Sequence, residues 1–368
     1  MHITINNRPL LIIFCLIIPG SVFSQDTSKY VDNYHHYGIK YYNGAVFAHT
    51  DAVQNTAGSR PWAIELEYSK RHTSSKAWNT CRGYPSTGVL LAYKNYDYDV
   101  LGHGVHLAYY VQYHALSDTR ISPIIRGTAG LEYDTNPYHE IHNPENRSYS
   151  MHLNSSLQVA LGAYIKINRN IFADMVFAFN HISNGGASAP NKGINWPSAG
   201  LGIYYSPDYG NLKNRTDSIP VPRYSAKWLG RVNTYLTAKS KTFDEKEIHM
   251  IGGAELLGGR RITNLNNLLG GFEWNLNGLH TRSIEYYNLS GNPNILSIFA
   301  GHEFVMGKFR FSQKLGVYVF NQMDNDNSWY HKWGLQYKHN TNILVGIEVK
   351  AHKHVADYTS FTLGYAFY

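Results

Sequence analysis

Residues 171–183 have the sequence IFADMVFAFNHIS, in which two kinds of side chain alternate. Side chains of a β-strand point to opposite faces in turn, so this segment predicts a strand with two different faces. One face is wholly apolar and consists of Ile171, Ala173, Met175, Phe177 and Phe179. By the same period, His181 and Ser183 continue the apolar face. A potential base and a potential nucleophile therefore lie side by side at the end of that face.

The same alternation recurs in several other segments, among them Val105–Tyr113, Leu157–Ile167 and Ile343–Val349. Apolar residues on one face, with small and polar residues on the other, are typical of a barrel with lipid outside and a polar interior. A soluble β-sandwich would have the same period. The aromatic strand at the end of the sequence, Phe361–Tyr368, resembles the assembly signal of bacterial outer-membrane proteins. We therefore predict an all-β fold, a transmembrane antiparallel β-barrel of about 14 strands, with 12–16 possible.

The composition and the first residues agree with a membrane barrel. The chain of 368 residues has 30 Tyr, 7 Trp and 32 Gly, with only 16% charged residues, which favours an all-β protein with an amphipathic rim. Arg8 and the apolar run Leu10–Ile18 predict a secretory signal peptide cleaved after Ser24. No later apolar stretch is long enough for a transmembrane helix, so spanning would require a closed barrel. Cys81 is the single cysteine expected in the mature chain, which excludes an intrachain disulfide.

Loop lengths orient the strands, because bacterial barrels have short periplasmic turns and long outer loops. The tight turn Asn168–Asn170 predicts that residues 171–183 run outward, so that His181 and Ser183 lie at the outer edge of the apolar band. A further strand pair, 59–69 with Tyr41–Phe47, would give sixteen strands, and Ile219–Pro222 could separate two smaller barrels. The predicted division is a signal peptide at 1–24, an N-terminal segment at 25–58, a barrel part with the His-x-Ser motif at 59–207, a connection at 208–226, and the remaining barrel strands at 227–368.

The segment His181–Gly185, followed by Pro190-Asn191 and Gly193-Ile194, resembles the lipid A 3-O-deacylase family, also called acyloxyacyl hydrolase or PagL. The resemblance covers roughly residues 60–206, and its specific motif lies in 171–206. It implies an enzyme in the outer membrane of a Gram-negative bacterium that removes the ester-linked 3-position acyl chain of lipid A. The expected partners are therefore the membrane and its lipopolysaccharide. Residues beyond 226 are not explained by eight-stranded members and suggest a larger barrel.

Ester hydrolysis by a serine requires a base within hydrogen-bond reach, which gives Ser183 the role of nucleophile and His181 that of base. The family has Glu where this chain has Asn195, which shares the outer face. An Asn carbonyl can orient an imidazole but supplies no charge, a loss of about 1–3 kcal/mol of imidazolium stabilisation. Either Asn195 serves, or another carboxylate serves, or the site is weak or inactive. The predicted oxyanion donors are Asn184, Gly185 and Gly186.

Other function classes find less support. The net charge of +7 is not organised as a nucleic-acid patch, and the 19 His show no spacing that demands a metal, so we predict no cofactor. The alternative is a porin-like channel or a structural barrel with a vestigial site. The orientation of His181 and Ser183 discriminates the two, because lipid-facing side chains favour the hydrolase and lumen-facing ones favour a channel. The oligomeric state stays open.

Overall fold

The computed structural model describes residues 33–209, 227–239 and 248–367, apart from 75–76, 79–80, 82, 117–118, 289, 324–327, 340 and 354. The predicted signal peptide and most of the predicted connection 208–226 lie outside the described residues. Within the described ranges, no helix is long and apolar enough to cross a bilayer. A 3₁₀ helix occupies Asp51–Thr56, and the helix α1 occupies Gly278–Tyr287.

Eight antiparallel strands form a first closed barrel. In chain order they are β1 (Asn33–Gly44), β2 (Trp62–His72), β3 (Ser86–Asn95), β4 (His103–His114), β5 (Ile121–Asp134), β6 (Leu153–Lys166), β7 (Ile171–Ser183) and β8 (Ile194–Tyr205). Each strand pairs with the next, and β1 pairs with β8 to close the sheet. Because the edges pair with each other, the sheet has no open edge.

Eight further strands form a second closed barrel. They are β9 (Trp228–Lys239), β10 (His249–Arg261), β11 (Asn266–Asn277), β12 (Asn294–Met306), β13 (Phe309–Phe320), β14 (Trp329–Lys338), β15 (Ile343–His352) and β16 (Val355–Phe367). Here β16 pairs with β9 and closes the sheet. Helix α1 follows β11, and Asn277 caps its N-terminus by accepting a hydrogen bond from the backbone N–H of Leu279.

The predicted all-β class, an antiparallel transmembrane barrel, is confirmed, and its strand number is corrected. The described residues contain sixteen barrel strands, the upper end of the predicted range, instead of fourteen. They close as two barrels of eight, which is the two-barrel alternative and not the single larger barrel. The first strand is β1, which lies within the segment 25–58 and overlaps Tyr41–Phe47, the partner strand of the sixteen-strand alternative. The physical reason is the seam, because β8 pairs with β1 and leaves no edge to which β9 could add.

The outward face of each barrel is apolar. In β7, Phe177 is 68% exposed and lies between exposed Met175 and Phe179, while the intervening residues are buried. In the second barrel, Phe272 is 66% exposed and Phe361 is 77% exposed. An apolar outer band of this kind is typical of a barrel that spans a membrane.

Buried ion pairs fill the interior of both barrels. In the first, the Arg126 guanidinium lies 2.7 Å from the Glu65 carboxylate and 2.9 Å from that of Glu67. In the second, the Lys332 ammonium lies 2.7 Å from the Glu273 carboxylate. An eight-stranded barrel has an interior just wide enough for side chains, which are costly to bury when charged unless they are paired. The inward charges are therefore part of the core.

Candidate active site

Strands β7 and β8 bring the predicted site residues together on the outer surface of the first barrel. They pair antiparallel, and their register sets His181 directly opposite Asn195. Directly opposite residues of an antiparallel pair share one face, with their Cβ atoms about 5 Å apart. His181 and Asn195 are half-buried, Ser183 is buried, and the exposed Phe179 and Pro197 flank the site on the same face.

A chain of hydrogen bonds links these three side chains. The distance from Ser183 Oγ to His181 Nε2 is 3.1 Å. The distance from His181 Nδ1 to Asn195 Oδ1 is 2.6 Å. Because an amide oxygen only accepts, Nδ1 carries the imidazole proton and Nε2 is left as the acceptor for the serine hydroxyl. The arrangement has the geometry in which an oriented imidazole can take a proton from a hydroxyl.

A fourth side chain, His49, which was not predicted from the sequence, extends this series of hydrogen bonds. The Asn195 Nδ2 amide donates a hydrogen bond to Nδ1 of His49 over 3.0 Å. His49 reaches the site because the residues after β1 continue along β8, where the backbone N–H of Phe47 donates to the carbonyl of Asn195. No local pattern indicates His49, because its position depends on the pairing of the first and last strands of the barrel.

Asp174, the acid nearest in sequence, does not belong to the site. Its carboxylate lies inside the barrel, 2.9 Å from Lys40 Nζ, and accepts a hydrogen bond from the Tyr204 hydroxyl. The interior position agrees with its parity in β7. Among the described residues, no group of three or more His, Cys, Asp or Glu side chains is arranged to hold a metal ion.

The glycine-rich loop after β7 is held mainly through the Asn184 side chain. Its Nδ2 donates to the Ser188 carbonyl over 2.7 Å and to Ser150 Oγ over 3.1 Å. Its Oδ1 accepts from the backbone N–H of Gly186, while its own backbone N–H donates to Asn191 Oδ1. Asn191, the second residue of the Pro-Asn part of the motif, thus contacts the residue seven positions before it.

These contacts distinguish the three predicted oxyanion donors. The side-chain amide of Asn184 and the N–H of Gly186 are both engaged within the loop. The backbone N–H of Gly185 points to Ser183 Oγ over 3.4 Å. Of the three, Gly185 therefore has its donor next to the hydroxyl oxygen of the candidate nucleophile.

The second barrel contacts this loop. The backbone N–H of Thr359 in β16 donates to the carbonyl of Gly185 over 3.0 Å. Gly185 and Gly186 have φ of 67° and 84°, a region that favours glycine. A Cβ on Gly185 would lie 2.7 Å from Thr359 Oγ1, and one on Gly186 would lie 2.8 Å from the Asp357 carbonyl. Both glycines thus permit the turn and the close approach of β16.

Comparison with known proteins assigns each barrel to a family. Residues 34–204 match the family Lipid A 3-O-deacylase (PagL), and residues 229–368 match the family Acyloxyacyl hydrolase, C-terminal domain. No curated protein matches the chain.

Two solved structures are among those similar to the chain. The crystal structure of the outer membrane enzyme PagL is 16% identical, with 45% of this chain and 97% of that chain covered and a TM-score of 0.34. A variant of the Rh. blastica porin is 8% identical, with 91% of this chain and 100% of that chain covered and a TM-score of 0.19. The family matches span both barrels, and the chain therefore belongs to the lipid A 3-O-deacylase (PagL) family, its second barrel being an acyloxyacyl hydrolase C-terminal domain.

Proposed function

We propose that the protein is an outer-membrane serine esterase that removes the 3-O-linked acyl chain of lipid A. The observation that carries the proposal is the hydrogen-bonded series Ser183–His181–Asn195 on the outward, apolar face of the first barrel. The substrate class follows from the family, and the position of the site suits a substrate whose acyl chains lie in the bilayer. Lipid A or whole lipopolysaccharide of the outer leaflet is then the partner, and the outer membrane is the location.

In the proposed mechanism, His181 Nε2 takes the proton of Ser183 as Oγ attacks the ester carbonyl. The Gly185 N–H stabilises the developing oxyanion, and Asn195 Oδ1 holds the imidazole through its Nδ1 proton. His181 then protonates the leaving sugar oxygen, and the acyl chain stays on Ser183 as an ester. Water, activated by the same imidazole, releases the chain as a fatty acid.

A porin-like channel or an inactive barrel is the alternative function. His181 lies on the outward face beside exposed Phe179, and not among channel-lining residues. The interiors of both barrels are occupied by paired charges such as Arg126 with Glu65. Both features favour the hydrolase over a channel, while the replacement of the family's Glu by Asn195 is the feature that favours an inactive site.

The proposal is tested by mass spectrometry of lipid A from bacteria whose lipid A carries the 3-O ester. Cells expressing the wild-type chain should lose one hydroxyacyl chain from lipid A. Ser183→Ala should abolish this loss because the nucleophile is removed. Ser290→Ala is the matched control, since it removes an exposed hydroxyl from an outer loop of the second barrel. Identical lipid A in wild type and Ser183→Ala, with both barrels folded, would contradict the proposal.

A further inference from the structure

The Asn195 side chain lies between two imidazoles and has a different atom toward each. Its Oδ1 accepts from His181 Nδ1 over 2.6 Å, and its Nδ2 donates to His49 Nδ1 over 3.0 Å. His49 is 146 positions away in the sequence. The two contacts together fix which end of the amide faces the base.

The orientation of this amide matters because its two ends are nearly the same size and opposite in function. After a 180° rotation about the terminal bond, the NH₂ group would face His181 and would donate to Nδ1. The neutral imidazole would then carry its proton on Nε2, where it could no longer accept the proton of Ser183. A carboxylate, as in the family's Glu, has no such inactive orientation, because both of its oxygens accept.

With its proton on Nε2, His49 favours the productive orientation. An imidazole protonated on Nε2 presents a lone pair at Nδ1, which satisfies the Asn195 NH₂ group and would repel its oxygen. The Phe47 N–H, two residues before His49, bonds to the Asn195 carbonyl, so the backbones on both sides of the contact are tied together. His49 thus has the placement and, in this tautomer, the acceptor that an amide at position 195 requires.

We propose that His49 is a positioning residue that holds the Asn195 amide with Oδ1 toward His181. It compensates for the absence of the family's carboxylate, in which either oxygen can accept from His181. The inference rests on the proposed Ser183–His181 chemistry. It assigns no contact between His49 and the substrate. Its effect on the reaction passes through Asn195 and the proton position on His181.

A double-mutant cycle in the full-length chain tests the proposal through kcat/KM for lipid A hydrolysis. His49→Ala should lower kcat/KM about tenfold, the factor that corresponds to one hydrogen bond of ordinary strength. In the Asn195→Asp background, the same substitution should change kcat/KM less than about twofold, because either carboxylate oxygen can face His181. His49→Asn should restore part of the loss, since its Oδ1 can accept near the position of Nδ1. Equal losses in both backgrounds would show a purely structural role and overturn the proposal.

A second measurement reads the tautomer of His181 without relying on turnover. The imidazole ¹⁵N shifts of His181, assigned by comparison with His181→Gln, should report a proton on Nδ1 in the wild-type protein. In His49→Ala a substantial fraction should move to Nε2, and in His49→Ala combined with Asn195→Asp it should return to Nδ1. An unchanged tautomer in His49→Ala would overturn the role of His49. Absence of Ser183-dependent hydrolysis in the wild type would instead contradict the proposed function, so the two failures are distinguishable.

Discussion

Gly193, which precedes β8, leaves the space that the His181 ring occupies. Its φ is +76°, and a Cβ there would lie 2.9 Å from Cε1 of His181 and 3.0 Å from the Ile182 carbonyl. We expect Gly193→Ala to lower kcat/KM about 10- to 100-fold, because the ring must move away from Ser183 or Asn195. The measurement is hydrolysis of purified lipid A by folded protein in detergent.

Gly58 offers a matched control for this substitution. Its φ is +90°, so Gly58→Ala has a comparable left-handed backbone, but no atom lies within 4 Å of the added Cβ. Gly58→Ala should lose about 1–2 kcal/mol of stability for the left-handed conformation and keep its activity, whereas Gly193→Ala should lose this stability and activity as well. Similar activity in the two variants would indicate that the His181 ring tolerates the new methyl group.

The sequence predicted those site residues whose arrangement is local. His181 and Ser183 share a face because they are two apart in one strand, and Asn195 follows from the parity of the next strand. His49 could not be predicted, because the contact depends on the β1–β8 closure and nothing in the sequence distinguishes His49 from the 17 other His that remain once His181 is set aside. The hydrogen bonds of the Asn184 side chain could not be predicted from the alternation of strand residues either, because they depend on the conformation of the loop.

At the scale of the element, β7 connects the apolar exterior with the site. Its outward residues form an apolar row that ends at His181, and its inward residues are part of the buried core. Asp174 illustrates the second point, since its carboxylate pairs with Lys40 inside the barrel. A shift of one residue in register would exchange the two faces and would place His181 inside. The strand register therefore determines both the stability of the barrel and the accessibility of the site.

Phe177 lies at the centre of β7 and tests the assignment of its outer face. We expect Phe177→Arg to lower the free energy of unfolding from phospholipid vesicles by about 2–4 kcal/mol, because a charge then faces the bilayer midplane. Ile141→Arg is the control, since Ile141 is 78% exposed in the loop after β5. Its effect should stay within about 0.5 kcal/mol. Equal costs in urea titrations would contradict the lipid-facing assignment.

Strand β1 shows where prediction of elements from sequence was less complete. Its inward residues include Tyr34, His36, Lys40 and Tyr42, and its outward face carries Tyr37 and Tyr41. Because aromatic and polar residues occur on both faces, the contrast that identified β7 is weak there. Helix α1 was missed for another reason, because it lies in an outer loop where no hydrophobic period was expected.

At the scale of the whole molecule, alternation could not decide between one barrel and two. Residues of a sixteen-stranded barrel and of two eight-stranded barrels alternate with the same period. The difference lies in the seams, where β1 pairs with β8 and β9 pairs with β16. These pairings join residues far apart in sequence, and the one signal for them was the proline-containing segment Ile219–Pro222.

The second barrel also contributes to the environment of the site. Its strand β16 donates the Thr359 N–H to the Gly185 carbonyl, so the loop that holds the candidate oxyanion donor has a partner outside the first barrel. The partly buried ion pair between Lys239 and Asp357, at 2.7 Å, ties this end of β16 to β9. Two separately closed sheets are thus in contact at the loop beside the candidate site, which gives the C-terminal domain a structural connection to the proposed chemistry.

Closure into two filled barrels predicts the electrical behaviour of the protein. Sixteen strands in one sheet would enclose an aqueous channel, whereas eight leave an interior that side chains fill. Buried pairs such as Arg126 with Glu67 and Lys332 with Glu348, at 2.9 Å each, lie across the two interiors. We therefore expect no stepwise conductance from the purified protein in planar lipid bilayers, under conditions in which a sixteen-stranded porin conducts. Discrete steps of porin size that persist in Ser183→Ala would favour the channel alternative, because conduction through an open lumen does not depend on the outward-facing serine.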